Sequence, residues 1–294
     1  MNGARPGLAA RLLAGAACGG GTAEPCAFWQ PPAWHGRLDD DALSELSGLA
    51  LSRRNPGILW AVQDSGHTPT LFAVDLGAHV TARLELAATN TDWEAVSVGP
   101  CPAGTCVYVA DIGDNAAARD HVTLWVLPEP EAAAPRAALP VEEVRLQYPD
   151  GAQDAEALVV SREGVPLILT KRTDGMARLY AAPGWSAGVT TVMEARGTLD
   201  VSRGPSRGLP ASVTDASLFP DNTRLLVRTY LGAWEFLLPS GDVDDLVQAT
   251  RGSVPFALEI QGEAVAYDAP RHGYWQAPEG AGAPLSFVGC RNGL

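Results

Sequence analysis

The sequence predicts an all-β protein, a β-propeller of five four-stranded blades, and three observations point there. Short strands that open on an acidic residue recur along the chain. Each is followed by further apolar runs of strand length, and no long stretch carries sustained helical periodicity. Glycine (31) and proline (23) together stand well above the roughly 12% background, as a chain rich in turns requires.

The recurring starts are Glu45-Leu-Ser-Gly-Leu-Ala-Leu, Asp92-Trp-Glu-Ala-Val-Ser-Val, Asp154-Ala-Glu-Ala-Leu-Val-Val, Thr214-Asp-Ala-Ser-Leu-Phe and Gln261-Gly-Glu-Ala-Val-Ala-Tyr. Aligned on the small residue they fall at Gly48, Ala95, Ala157, Ser217 and Ala264, at intervals of 47, 62, 60 and 47 residues. A second apolar run follows each: Ile58-Leu-Trp-Ala-Val, Val107-Tyr-Val-Ala, Leu167-Ile-Leu-Thr, Leu225-Leu-Val-Arg-Thr and Gly273-Tyr-Trp. Third runs begin at Leu71, Val122, Arg178, Ala233 and Leu285. More polar, alternating fourth runs start at Thr81, Val144 and Thr191, with a further one between Leu246 and Thr250. Gly, Pro, Asn and Asp separate these runs, which makes them strands and turns.

Four-stranded units of about 50 residues are the mark of a propeller. The last unit supplies three strands, and Phe28-Trp29-Gln30 is expected to supply its fourth, so that the two ends of the chain close the ring. Closure removes exposed sheet edges. A six-bladed ring is the alternative, because the two longer intervals contain slack. The Ala/Pro-rich stretch from Pro128 to Pro140 takes up part of it.

Residues 1–26 read as a leader and 27–294 as one propeller domain. Arg5 and Arg11 precede the apolar stretch Leu12 to Ala17, then come Cys18, a glycine run and Thr22. A positive start, a short apolar stretch and small residues are the parts of a secretory signal, and the stretch is too short to span a bilayer. The expectation is an extracytoplasmic protein, secreted or lipid-anchored at Cys18, whose Gly-Ala-Ala context resembles a bacterial lipoprotein acylation site. A disordered Ala/Gly leader is the bland alternative.

There are five cysteines, an odd count. With Cys18 set aside, Cys101 and Cys106 flank a tight turn between strand-like runs and suit a local disulfide. Cys26 would then pair with Cys290 and tie the chain ends. Free thiols in a cytosolic protein are the other reading. C-x4-C is not zinc-ligand spacing, and no second Cys/His pair completes a site.

With 34 acidic residues against 21 basic ones the net charge is −13, which excludes a nucleic-acid binder dependent on a basic face. A 46% hydrophobic content and mean hydropathy of +0.01 fit a folded, monomeric soluble protein and exclude a polytopic membrane protein. Lys171 is the only lysine.

In a propeller the first strand of each blade lines the central channel, so residues far apart in sequence converge. Glu45, Asp92, Glu94, Asp154, Glu156, Asp215, Glu259 and Glu263 are expected at one channel mouth. Asp64 after the second strand of its unit, and Asp111, Asp114 and Asn115 in Asp-Ile-Gly-Asp-Asn, add to it. Carboxylates this crowded need a hard cation, raised pKa values or water. Calcium, which takes six to eight oxygen ligands, is the cofactor this convergence points to. The competing reading is that the acids end strands, cap turns and pair with arginines.

Lys171-Arg172 and Arg228 sit at corresponding places in the third and fourth units. They would either hold an anionic group beside the metal or neutralise the acidic ring. His67, after the Asp64 turn, is a candidate site residue. Trp60, Trp93, Trp125, Trp234 and Trp275 recur on strands as packing residues. No P-loop or HExxH motif occurs. Gly204-Pro-Ser-Arg-Gly208 matches G-x-S-x-G, but its flanks read as loop, which discounts Ser206 as a nucleophile.

Asp92-Trp-Glu-Ala-Val, Asp-Ile-Gly-Asp-Asn, Asp154-Ala-Glu-Ala-Leu and Gln261-Gly-Glu-Ala-Val resemble segments of exported actinobacterial propeller proteins and, more distantly, the phytase-like propellers with their esterase-like group. The likeness spans roughly residues 40–290. It implies an acidic channel that binds several calcium ions and, in the phytases, holds phosphate. Two function classes are therefore expected. One is a binding or scaffold module of the cell envelope for an unidentified small-molecule or envelope ligand. The other is a metal-dependent hydrolase of phosphate or ester substrates, with Asp92, Glu94, Asp154 and Glu156 on the ion and Lys171 or Arg228 orienting the substrate.

Overall fold

The computed structural model describes residues 25–133, 137–202 and 211–292. The leader expectations at Arg5, Arg11 and Cys18, and the discounted Ser206, lie outside the described residues.

Two short strands, β1 (Phe28–Trp29) and β2 (Ala33–Arg37), precede the first blade. Blade one comprises β3 (Leu46–Leu51), β4 (Ile58–Gln63), β5 (Thr70–Asp75) and β6 (Val80–Glu85). Blade two comprises β7 (Trp93–Cys101), β8 (Gly104–Asp111), β9 (Val122–Pro128) and β10 (Glu142–Gln147). In blade three, β11 (Ala155–Val160), β12 (Pro166–Thr170) and β13 (Met176–Ala181) are followed by β14 (Thr190–Val192) and β15 (Glu194–Asp200). Blade four has β16 (Val213–Leu218), β17 (Arg224–Thr229), β18 (Gly232–Leu237) and β19 (Thr250–Ser253). Blade five has β20 (Gly262–Asp268), β21 (Gly273–Pro278) and β22 (Pro284–Arg291).

Each blade is an antiparallel meander, and β3, β7, β11, β16 and β20 pack side by side in a closed ring. This is a five-bladed β-propeller. Apolar residues on neighbouring blades face one another and form a core cluster at each blade interface. Trp60 and Trp93, for example, are fully buried between blades one and two. Burying such side chains stabilises the ring by about 1.5–3 kcal/mol each.

The ring closes through the chain ends. Both β1 and β2 add to β22, so the longer Ala33–Arg37 segment, not only Phe28-Trp29, completes blade five. Cys26 and Cys290 are disulfide-bonded, with Cα atoms 5.7 Å apart, and Cys101 is bonded to Cys106 across the β7–β8 hairpin.

Three details differ from the sequence reading. The fourth strand of blade three is β15, not Thr191 to Ala195. The short β14 instead crosses over and pairs in parallel with β10 of blade two, because Met193 just after it is buried in the core between those blades. The segment around Leu246 is a 3-10 turn (Val243–Gln248), and the edge strand follows it at Thr250. The third concerns register in blade four and bears on the site. The slack that allowed a sixth blade is absorbed by β14 and by the excursion after Pro128, which returns to set Leu139 beside Leu86.

Candidate functional site

All five channel strands carry a β-bulge at the same step, so one residue near the start of each lacks a cross-strand partner. Those residues are Ser47, Glu94, Glu156, Thr214 and Glu263. A bulge re-aims its side chain, and here it does so at one end of the channel. Two residues earlier stand Glu45, Asp92, Asp154, Ser212 and Gln261, which form an outer tier. The residue after the bulge is small in four blades. Gly48 shows why: a Cβ there would lie 2.8 Å from the Cα of Ala95 on the next channel strand.

Blade four breaks that rule. Its bulge makes Asp215, not Ser217, the equivalent of Gly48. Asp215 is therefore one step deeper than a mouth residue and has no exposed surface. Its carboxyl accepts from the N–H groups of Ala216 (2.7 Å) and Val265 (2.9 Å), and the Leu49 N–H also faces it. One side chain so ties the channel strands of blades one, four and five together. Burial raises its pKa well above the usual carboxyl range, against the pull of those N–H groups.

Around the mouth the ends of the second strands join the ring. The N–H groups of Asp64, Gly113, Lys171 and Glu279 bond the carbonyls of Glu45, Asp92, Asp154 and Gln261, which fixes these four positions relative to the channel strands. The corresponding residue in blade four is Tyr230, since Thr229 pairs with Val213. Arg228 is two residues earlier than the sequence reading assumed, again because of the blade-four register. It is fully buried, donates to the carbonyls of Ala257 (3.1 Å) and Gly232 (3.4 Å), and lies 3.5 Å from the Glu259 carboxylate and over the Phe256 ring.

Asp64, Asp92 and Glu94 each bring a carboxylate oxygen into one cluster, all within 4.8 Å of one another. Gly113 adjoins it: a Cβ at that position would lie 2.4 Å from oxygens of both Asp92 and Glu94. Where other blades place the side chains of Asp64, Lys171 or Glu279, blade two has none, and the Asp92 and Glu94 carboxylates take up that space. Glu94 in turn hydrogen-bonds Glu156, which is ion-paired with Lys171, and the Lys171 ammonium lies 5.9 Å from the Tyr230 ring centre.

The electrostatics follow from burial. Glu94 is 5% exposed, and desolvation, reinforced by Glu156, Asp64 and Asp92, raises its pKa far above the carboxyl range. It therefore holds a proton and donates it to Glu156. Burial also raises Glu156, against the opposing pull of Lys171. For Lys171 the balance is reversed: burial disfavours its charge, but Glu156 outweighs burial and the pKa is raised. Desolvation, with Asp64 adding, brings Asp92 up to about 6. Desolvation, with Glu156 adding, brings Glu263 up to about 8. Carboxyls this close repel one another when ionised, and an all-oxygen cluster of them suits a hard cation, which supplies the compensating positive charge in place of protons.

The other acids named from sequence have different places. Glu45 bonds His67 Nε2 at 2.7 Å on the rim, so His67 is already engaged. Asp154 accepts from the Asp114 N–H at 2.9 Å. Asp111 accepts from the N–H groups of Thr91 and Asp92 and from Arg119, and Asp114 from those of Ala118 and Arg119. These two anchor the turns that carry Asp92 and Gly113 and do not join the oxygen cluster. Glu279, Gly113 and Tyr230 escaped sequence reasoning. The signal for them was positional: each follows the second strand of its blade, as Asp64 and Lys171 do.

No family model matches the chain, and no curated protein matches it. Among solved structures it is similar to a PQQ-bound aldose sugar dehydrogenase from Streptomyces coelicolor (12% identity, 91% of this chain and 100% of that one, TM-score 0.47). It is also similar to a virginiamycin B lyase from Staphylococcus aureus (10% identity, 90% and 100%, TM-score 0.46). A glutaminyl cyclase from Myxococcus xanthus matches in the same way (11% identity, 90% and 100%, TM-score 0.49).

Proposed function

We propose that this protein is an extracytoplasmic binding module whose acidic channel mouth takes up a divalent cation, calcium foremost. The observation that carries the reading is the set of Asp64, Asp92 and Glu94 oxygens within 4.8 Å of one another, two of them packed against Gly113 where any side chain would collide with them. The donor set is all oxygen, as calcium prefers, and backbone carbonyls and water would supply the remaining ligands. Two disulfides suit an oxidising compartment, in keeping with the leader-like residues 1–26.

The hydrolase of phosphate or ester substrates, with its distant phytase likeness, is the weaker reading. Such an enzyme needs cations free to grip the substrate. Lys171 is spent on Glu156, and Arg228 is buried against Ala257 and Glu259. A binding module needs no such groups, since the cation itself can bridge to a ligand.

Calorimetry and thermal melts test the proposal. At about 100 times the dissociation constant calcium should add about 2.7 kcal/mol of stability, a rise of several degrees in Tm. Asp92→Asn combined with Glu94→Gln should abolish that rise while the protein still folds. Melting temperatures that are the same in EDTA and in millimolar calcium would refute it.

A further inference from the structure

The opposite end of the channel is a different kind of place. A cavity of about 820 Å³ opens there, walled by the far ends of the channel strands and by the loops that follow them. Its volume is that of a small-molecule site. Leu49, Val96, Val160 and Leu218 supply an apolar floor and wall. On a chain with 34 acidic residues, not one lining residue of this cavity is acidic, yet two are arginines, Arg53 and Arg271.

Arg53 is the telling residue. Most arginines among the described residues are spent on a carboxylate, and Arg271 itself pairs with Asp268 at 3.1 Å. The Arg53 guanidinium makes no hydrogen bond or ion pair with another described residue. The carboxylate that acts on it, Glu129, is engaged by other donors. Glu129 accepts from the Ser52 hydroxyl (2.6 Å), the Trp60 indole (2.9 Å) and the N–H groups of Arg53 (3.0 Å) and Arg54 (3.1 Å). These bonds pin the turn that presents Arg53 to the cavity while leaving its side chain uncommitted. The Ser97 hydroxyl, also on the cavity wall, likewise has no bonded partner among the described residues.

We propose that this cavity binds a small amphipathic anion, its apolar body on the Leu49, Val96, Val160 and Leu218 surface and its carboxylate, phosphate or sulfonate head on Arg53 and Ser97. Apolar burial supplies the affinity, and a fork of guanidinium donors selects the charged head. The site is independent of the cation cluster. The two sets of residues lie at opposite ends of the channel strands, and the acidic mouth would repel the same ligand.

Fluorescence titration with 8-anilinonaphthalene-1-sulfonate and its uncharged parent, N-phenyl-1-naphthylamine, separates a head-group site from mere apolar adhesion. The sulfonate should saturate a single site. Arg53→Ala should weaken it about 10-fold or more, the size of a lost charge-assisted bond, while the neutral dye changes less than about 2-fold. Asp92→Asn, at the other mouth, should leave both dyes unaffected, so failure of the cation site and failure of this one are read separately. An unchanged sulfonate affinity in Arg53→Ala, an equal loss for both dyes, or the absence of saturable binding would each overturn the proposal.

Discussion

The two mouths of the channel are built by the same five strands and have opposite chemistry. At one end Glu94, Glu156 and Glu263 emerge from β-bulges and crowd with Asp64 and Asp92 around a single lysine. At the other, four or five residues further along the same strands, the lining is apolar and its only charges are arginines. Of the two disulfides, Cys101–Cys106 closes the β7–β8 hairpin and Cys26–Cys290 ties the chain ends at blade five. The acidic face is held by protons, by Lys171 and, under the proposed function, by a cation. Each blade contributes a strand whose start and end are a few residues apart, so a single repeat can carry two unrelated surfaces. Between them lies the buried Asp215, whose carboxyl ties together the strands of three blades.

Removing this tie should have the largest effect. Asp215→Ala leaves the buried N–H groups of Ala216 and Val265 without their acceptor. We expect a loss of about 2–4 kcal/mol in urea denaturation, and roughly half that in Asp215→Asn, which keeps one acceptor. A neutral Asp215→Ala would mean that packing alone holds these three channel strands together.

Lys171→Met comes next, since it strips the acidic mouth of its only lysine and leaves Glu156 buried and unpaired. The pair is partly exposed on the lysine side, so the cost should be about 2 kcal/mol, below that of a wholly buried pair. Calcium beside Glu94 should recover part of it. Equal losses in EDTA and calcium would separate Lys171 from the cation site.

The smallest effect is that of pH. Glu263 holds its proton up to about 8 in the folded protein, whereas an unfolded glutamate loses it near its ordinary value of 4.5. Between those values the unfolded state binds fewer protons, so stability without metal should fall as pH rises from 5 to 8. Glu263→Gln should flatten that slope by about 1–2 kcal/mol, and Asp92, raised to about 6, acts with the same sign. Dye binding at the cavity, which has no acid in its lining, should not follow this profile. A stability that climbs with pH across this window would contradict the burial of these carboxyls.

Much of the acidic mouth was legible because its residues sit at a repeated place in short motifs. Glu94, Glu156 and Glu263 occupy one position of one recurring strand, and their convergence follows once the repeat is read as a ring. Blade four defeated that logic. Thr214 and Asp215 replace the usual Glu-Ala pair, so the sequence pattern points to Ser217 where the structure has Asp215, and to Arg228 where it has Tyr230. Only the bulge, a matter of which N–H meets which carbonyl, corrects both. The β14 strand was misplaced for a related reason: a short strand's apolar pattern does not say which neighbour it joins. The cavity had no linear signature at all, since Arg53, Ser97 and Leu218 are drawn from three blades.

The sequence by itself determined the all-β propeller class, a five-unit repeat and the convergence of acidic residues on the channel. All of these follow from alternation, turn residues and repetition, which are local and additive along the chain. The structure decided between five and six blades and showed how the chain ends join. Tertiary structure alone decided which acids meet within coordinating distance, which turn inward as backbone anchors, and that Asp215 ties three channel strands together. It also decided that Arg53 stands uncommitted over an apolar cavity. Those outcomes depend on strand register and on competition among donors for one carboxylate, and neither is a property of neighbouring residues in the chain.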